Sequence, residues 1–488
     1  MFKPTLDEAK AIDKKQRIIP VSTEIFSDGI TPVTLLKKLK KVSGSCFILE
    51  SAEDTKKWGR YTFLGFDPKM EITCINGVTT VKTDDKSETK SENPNLTIQR
   101  ILDDYKSVRF DYLPPFTGGL VGYFAYDYVK YCESKSDLNA QDNENWNDVD
   151  LMLFHKIIAF DNLKQKIIII VNISAENLET EYENAIKQLE YIKALIKSGE
   201  PQAAEPLEIK SEFRALFSKE EYCLMVNRAK DYIKEGDIFQ AVLSNRFEAD
   251  VNGSILDAYR ILRTLNPSPY MFYFSGSTLE IAGASPETLV KLQDGKLHTF
   301  PLAGTRPRGA GEAEDAALEK ALLADEKELA EHNMLVDLGR NDLGKISKPG
   351  SVRVDKYMDI LRFSHVMHIG SEVSGEIVEN FTGLDTVNAV LPAGTLSGAP
   401  KIRAMQIINE LEKNKRGVYG GAIGYLDFTG NMDTCIAIRI AYKKGGKVFI
   451  RSGAGVVADS NPESEYQECL NKARAVQSAL EQAAGGIE

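Results

Sequence analysis

Long apolar runs are missing from the chain. No stretch of its 488 residues approaches the roughly 20 consecutive apolar positions that a membrane-spanning helix needs. The opening MFKPTLDEAKAIDKK is charged throughout and has no apolar core, so no secretory signal is expected and a cytoplasmic, membrane-free protein is. Cysteine is scarce: the six (Cys46, Cys74, Cys132, Cys223, Cys435, Cys469) form no C-x-x-C pair, which points to reduced thiols rather than a disulfide framework. The five histidines form no H-E-x-x-H or H-x-x-x-H pattern, so a zinc site is not expected. There is no G-x-S-x-G elbow and no G-x-x-x-x-G-K-[ST] loop, which removes the usual support for serine hydrolase and P-loop chemistry. Basic charge is in deficit, with 60 Lys and Arg against 71 Asp and Glu and a net charge of −11. A general nucleic-acid binder would carry a basic footprint. A small anion held by a few local cations remains compatible.

What is present is an ordinary globular composition, 43% hydrophobic, in a chain long enough for several domains or one large intertwined core. Two hydrophilic stretches, 83–95 and 132–148, read as exposed loops, and 198–212, with two prolines, reads as a linker. The expected division is an N-terminal α+β region at 1–200, a linker at 201–215 and a larger region at 216–488. Short β-type runs at 46–50, 70–75, 118–124, 156–160 and 166–173 alternate with helices near 31–41, 96–106 and 178–197. That alternation predicts an α+β fold with antiparallel sheets. Further on, Ser218 and Glu221 form a capping box, with Gly236 ending the helix. A strand at 238–247, strands near 270–275, 278–283, 287–293 and 297–303, and one long helix at about 312–339 follow. A helix at 399–413 and strands at 418–428, 433–442 and 447–452 complete the second half.

The most informative stretch is VFIRSGAGVVADSNPESEYQECLNKA, at 448–473. A β-branched run leads into a Gly453-Ala454-Gly455 turn, and Ser460, with Glu463 three residues on, reads as a helix N-cap. Residues 453–458 fit G-x-G-x-x-A, but a dinucleotide fingerprint must open directly into a helix, and here Val456-Val457 intervene. On the helix, Glu465, Glu468 and Lys472 are three and four apart and share one face. Such a face is most often a solvated stripe. A second Glu-x-x-Glu pair, Glu328 and Glu331, makes the pattern more specific. If the two pairs converge in a dry site, their repulsion favours a bound cation. Two carboxylates plus waters suit Mg²⁺, which dehydrates reluctantly.

These residues belong to a dense series of motifs: SPET, PLAGTRPRG, EHNMLVDLGRND, SHVMHIGSEVSG, PAGTLSGAPK, YGGAIGY, DTCIAIR and the stretch above, with LESAE and RYTFLGFDP in the first half. By them the chain resembles the chorismate-utilising enzymes and, among these, the anthranilate synthase large subunits. The resemblance implies a large intertwined antiparallel β-sandwich flanked by helices. It also implies Mg²⁺ held by Glu331 and Glu468, with Glu328 and Glu465 reaching it through water. Gly304, Thr305, Tyr419, Arg439, Gly453, Ala454 and Gly455 fall on chorismate-contacting positions, and Lys472 adds a positive charge beside a dianion. Arg439 suits a carboxylate because its fork binds two oxygens at once.

Two positions separate the branches. Gln240 stands where water-activating relatives have a lysine, which fits a nucleophile that arrives already reactive, such as ammonia. Ala303 stands where aminodeoxychorismate synthases carry a nucleophilic lysine, and it forms no covalent adduct. The resemblance further implies Glu287 as general acid, His368 in the elimination, and Gln240 and Thr305 beside them. It also implies a tryptophan feedback site around Glu50, Ser51, Pro269, Tyr270 and Met271. No cysteine sits in a G-x-C-x-G turn, so ammonia is expected from a separate glutamine amidotransferase subunit, in a heterotetramer.

Overall fold

The computed structural model describes residues 2–12, 15–52, 58–83, 85–136, 138–362 and 366–486, with Trp58 described by its backbone alone. Glu53 of the LESAE motif, and Ser364 and His365 of S-H-V-M-H, lie outside the described residues.

The strand Lys166–Ser174, KIIIIVNIS, shows how sequence dictates the layers. Its apolar run does not alternate, because both of its faces are buried. Ile167, Ile169 and Val171 join a core shared with helices, while Ile168 and Ile170 join a second core shared with strands of another sheet. Repeated along the chain, this yields two antiparallel sheets packed face to face, with helices on both outer surfaces. Aromatic rings fill the space between the sheets. Phe47 meets Phe154 edge-on at 4.7 Å, and Phe116 stacks on Tyr425 at 4.3 Å. Burying each ring contributes about 1.5–3 kcal/mol. Gly65 is required there, since a Cβ on it would lie 2.2 Å from Phe47 Cε1.

The first sheet runs Ile18–Phe26, Lys166–Ser174, Lys156–Asp161, Tyr61–Phe66, Cys46–Glu50, Tyr270–Ser275, Leu279–Ser285, Ile440–Lys444, Lys447–Val456, Gln240–Asn252 and Glu208–Ile209. The second joins residues before 200 to later ones where Gly119–Phe124 pairs with Ala422–Asp427. Regions 1–200 and 216–488 therefore share both sheets. Within 201–215, Glu208–Ile209 and Arg214–Ala215 pair with the strand Gln240–Asn252, so this stretch is tied to a sheet edge.

Five local expectations are corrected. The single helix at 312–339 is two, Glu312–Leu323 and Glu326–Gly344, because Asp325 caps the second through the amides of Lys327 and Glu328. Asn461, not Ser460, caps the last helix; Ser460 Oγ accepts from the Val457 amide instead. Gly453-Ala454-Gly455 is no turn but lies inside the strand Lys447–Val456. The strand at 433–442 is two, Met432–Ile436 and Ile440–Lys444, in different sheets. The hydrophilic stretch 132–148 ends buried: Trp146 packs against Tyr442 and Phe449, and Asp148 pairs with Lys415 at 2.8 Å.

Candidate active site

The chain crosses between the sheets twice at neighbouring places, and each crossing delivers one functional side chain. Between Leu279–Ser285 and Thr288–Gln293 it passes through Pro286-Glu287; between Met432–Ile436 and Ile440–Lys444 it passes through Arg439. Arg439 is in the left-handed region, at φ 51°, which breaks the strand there. The crossings are bound together. The Ile436 amide donates to the Glu287 carbonyl at 3.0 Å, and the Ala284 amide donates to the Arg439 carbonyl at 3.2 Å. Both side chains line a cavity of about 560 Å³.

The two Glu-x-x-Glu helices meet at this cavity. Glu328 and Glu331, on Glu326–Gly344, and Glu465 and Glu468, on Pro462–Ala484, all line it. Burial pushes the Glu331 carboxyl above its ordinary value and Glu328 adds to the rise, while Lys472 and a hydrogen bond from Gln240 oppose it. Burial also raises Glu465, with Ser460 opposing and Glu468 adding. Lys472 pairs with Glu468 at 2.7 Å and Arg306 with Glu328 at 3.4 Å. No three of the four carboxylates bring oxygens within 4.8 Å of one another.

Glu287 is enclosed. Burial pushes its carboxyl up to about 8, against the opposing effects of the Thr395 hydroxyl, which donates to Oε1 at 3.1 Å, and of Lys472 and Arg439. His368 Nδ1 sits 2.9 Å from the Gly304 carbonyl, which can only accept, so Nδ1 carries the proton and Nε2 is the basic nitrogen. Thr305 Oγ1 lies 3.1 Å from the same Nδ1. Burial holds His368 below its ordinary value, so it is neutral at pH 7. Gly304 forms the bulge between the strands Leu302–Pro307 and Val366–Glu376 at φ 64°, where a Cβ would meet Leu322 and Glu328. Gly453 and Gly455 line the cavity floor, and a Cβ on Gly455 would lie 2.5 Å from Gln240 Nε2. Tyr419 and Ala303 line it as well, whereas Ala454, between the two glycines, does not. Buried Gln240 Oε1 has no protein hydrogen-bond partner among the described residues.

This constellation has a match among known proteins: the chorismate binding enzyme family matches residues 44–478. The chain belongs to that family. It is 46% identical to anthranilate synthase component 1 of Acetivibrio thermocellus, with 99% of each chain covered, and 44% identical to that of Aquifex aeolicus, covering 98% of this chain and 97% of the relative. It superimposes on anthranilate synthase component I from Streptococcus pneumoniae with a TM-score of 0.75 at 38% identity, over 86% of this chain and 92% of that one. The Escherichia coli menaquinone-specific isochorismate synthase, at 20% identity and a TM-score of 0.71 over 97% of each chain, shares the fold. The α+β architecture, an intertwined antiparallel β-sandwich flanked by helices, is therefore common to the family.

Within this family member a second residue group lies on the first sheet, where Glu50 faces Met271 across paired strands and the Ala52 amide donates to the Ser268 carbonyl at 3.1 Å. Ser51 and Pro269 flank that bond. The Glu50 carboxylate is taken by Tyr259 and by both sides of the Arg263 fork, so it braces the helix Leu256–Leu265. The Tyr270 hydroxyl reaches Asp433 Oδ1 at 2.8 Å and Thr288 at 3.0 Å. Sequence reasoning did not single out Thr395 or Arg306. Thr395 is inside PAGTLSGAPK, but its partner Glu287 lies 108 residues away and nothing local signals the pairing.

Proposed function

We propose that the chain is the large subunit of an Mg²⁺-dependent anthranilate synthase, an oxo-acid lyase that converts chorismate and ammonia to anthranilate and pyruvate in the cytoplasm, at the first step from chorismate towards tryptophan. One observation carries this reading: Gln240 and Ala303 line the same cavity as Glu287 and the four glutamates, and by the family resemblance these are the positions at which relatives with other outcomes would hold lysines.

Ammonia adds at ring carbon 2 while the carbon 4–oxygen bond breaks and the ring double bonds shift. Glu287, protonated near neutral pH because it is buried, gives its proton to the departing hydroxyl, which leaves as water. Thr395 holds that carboxyl in place. The product of this half is aminodeoxyisochorismate. In the second half neutral His368 receives the carbon-2 proton through Nε2, the carbon 3–oxygen bond breaks, the departing enolpyruvate takes up one proton at its methylene carbon to become pyruvate, and the ring becomes aromatic. Arg439 and Lys472 hold the substrate's carboxylates, and the Gly453 and Gly455 backbone permits close approach. Orphaned Gln240 Oε1 is an acceptor for an ammonia N–H.

The four glutamates fit a hydrated divalent ion. The half-buried Glu331 and Glu465 are raised first by burial and further by their carboxylate neighbours, and their spacing leaves room for waters between carboxylate and metal. Glu331 and Glu468 would bind it directly, and Glu328 and Glu465 through water. Mg²⁺ there would neutralise the ring carboxylate. A glutamine amidotransferase subunit would supply ammonia in a heterotetramer, and tryptophan bound near Ser51, Pro269, Tyr270 and Met271 would inhibit by favouring a state that cannot close.

The test is product analysis with chorismate, ammonium and Mg²⁺. Fluorescent anthranilate released with equimolar pyruvate, in amounts reduced by tryptophan, is expected. A product that keeps its enolpyruvyl group would place the chain with the aminodeoxychorismate synthases instead.

A further inference from the structure

Glu287 is a partition wall. With Thr395 and Leu335 it lines the large cavity, and the same three residues line a second, smaller cavity of about 40 Å³ behind it. The far side of that space carries Asp342, and Thr299 adds a hydroxyl. A water needs about 10–15 Å³ of such space and two or more polar partners, so the cavity accommodates about three. Asp342 is itself buried, receiving Lys401 Nζ at 2.6 Å and Lys345 Nζ at 3.1 Å. The Lys345 side chain is 49% exposed, so this ion-paired cluster reaches from the cavity to solvent. The mechanism above uses neither Asp342 nor Lys401, although both belong to motifs singled out from the sequence, DLGRND and SGAPK.

We propose that the small cavity holds a short water chain that returns a proton to Glu287 from solvent by way of the Asp342–Lys401–Lys345 cluster. The inference rests on the reading of Glu287 as proton donor. Glu287 loses one proton per turnover to the departing hydroxyl, while the added nitrogen releases one at ring carbon 2. With substrate filling the front cavity, the rear one is the route by which the carboxyl is recharged without product release. The balance is one proton out at nitrogen and one in at Glu287, with no oxidant or reductant involved. Asp342 touches no substrate and acts only through the waters and Glu287.

The test compares Asp342→Asn and the near-isosteric Thr299→Val with wild type, using chorismate, ammonium and Mg²⁺. Expected are a fall in kcat of about ten-fold or more, an unchanged KM for chorismate, a larger solvent deuterium isotope effect on kcat, and partial recovery of Asp342→Asn by formate. A crystal structure should show ordered waters between Glu287 and Asp342. Wild-type kcat and isotope effect in both variants would overturn the relay, as would losses that accompany weakened chorismate binding and resist formate. If Asp342→Asn does not fold, Thr299→Val and the waters decide; a dry cavity overturns the proposal. A wild-type chain that makes no anthranilate would sink the functional reading first, and the ordered waters would still judge the relay.

Discussion

Glu287 and Arg439 stand at the two neighbouring points where the chain leaves one sheet for the other, an acid and a guanidinium facing one cavity and tied through the Ile436 amide and the Arg439 carbonyl. Burial works on both in the same sense, against the charged form: the carboxyl rises to about 8 and the guanidinium is held below its ordinary value, with Glu287 opposing that fall. The fold thereby keeps a protonated acid beside a cation that is poorly solvated and ready for a carboxylate.

Replacing Glu287 by Gln should cost activity and add stability. Removing the proton donor should lower ammonia-dependent kcat by about 10²–10⁴-fold. In the folded state Glu287 holds its proton up to about pH 8, whereas unfolded it loses it near 4.5. The folded protein therefore binds more protons between these values, and wild-type stability falls as pH rises through that window, by about 1.4 kcal/mol for each pKa unit of difference at most. Glu287→Gln escapes this loss, so in denaturant titrations its advantage over wild type should grow from pH 5 to pH 8. A constant difference would contradict the assignment.

The pH profile of kcat/KM should fall on its alkaline side near pH 8, where free-enzyme Glu287 ionises. Its acid limb should lie below 6.5, since His368 must be neutral and burial lowers it. Steady-state rates from pH 5 to 9.5 with the ammonia concentration held fixed would check both limbs.

Gln240→Leu should raise the KM for ammonia by about five- to ten-fold, the worth of one hydrogen bond, and leave the KM for chorismate nearly unchanged. The variant removes both the orphaned Oε1 and the amide bonded to Glu331. Equal losses in both constants would show that Gln240 only supports the cavity wall.

Behind the cavity, Glu412 is bonded by two buried arginines, Arg416 at 2.6 Å and Arg451 at 2.8 Å, and by Ser244. Glu412→Gln leaves two desolvated guanidinium groups without a counter-charge and should destabilise the fold by about 3–5 kcal/mol. Equilibrium denaturation measures this; a change below about 1 kcal/mol would mean that water reaches the cluster.

What the sequence disclosed was the part governed by near neighbours. The Ser218–Glu221 capping box forms as read, and both carboxylate pairs lie on helices facing one cavity. Asp325 was hidden because an acidic residue amid a helical pattern looks like one more helical position until its side chain is seen to cap. The glycines at 453 and 455 suggested a turn, yet they serve a strand whose neighbours Leu243 and Gln240 leave no room for a Cβ. At Glu50 the sequence does not show that the fold brings Arg263 and Tyr259 to its carboxylate. The Asp325 cap is local and was hidden by composition, whereas the environment of the glycines and of Glu50 depends on partners distant in the chain.

The most direct measurement is a Mg²⁺ titration of ammonia-dependent turnover for wild type and Glu468→Gln. If the helices Glu326–Gly344 and Pro462–Ala484 clasp one hydrated ion, wild type should be inactive in chelator and saturate with added Mg²⁺. The variant should need at least about ten-fold more metal, the usual cost of losing a charged ligand contact. A variant with ordinary turnover and the same metal dependence would contradict that arrangement.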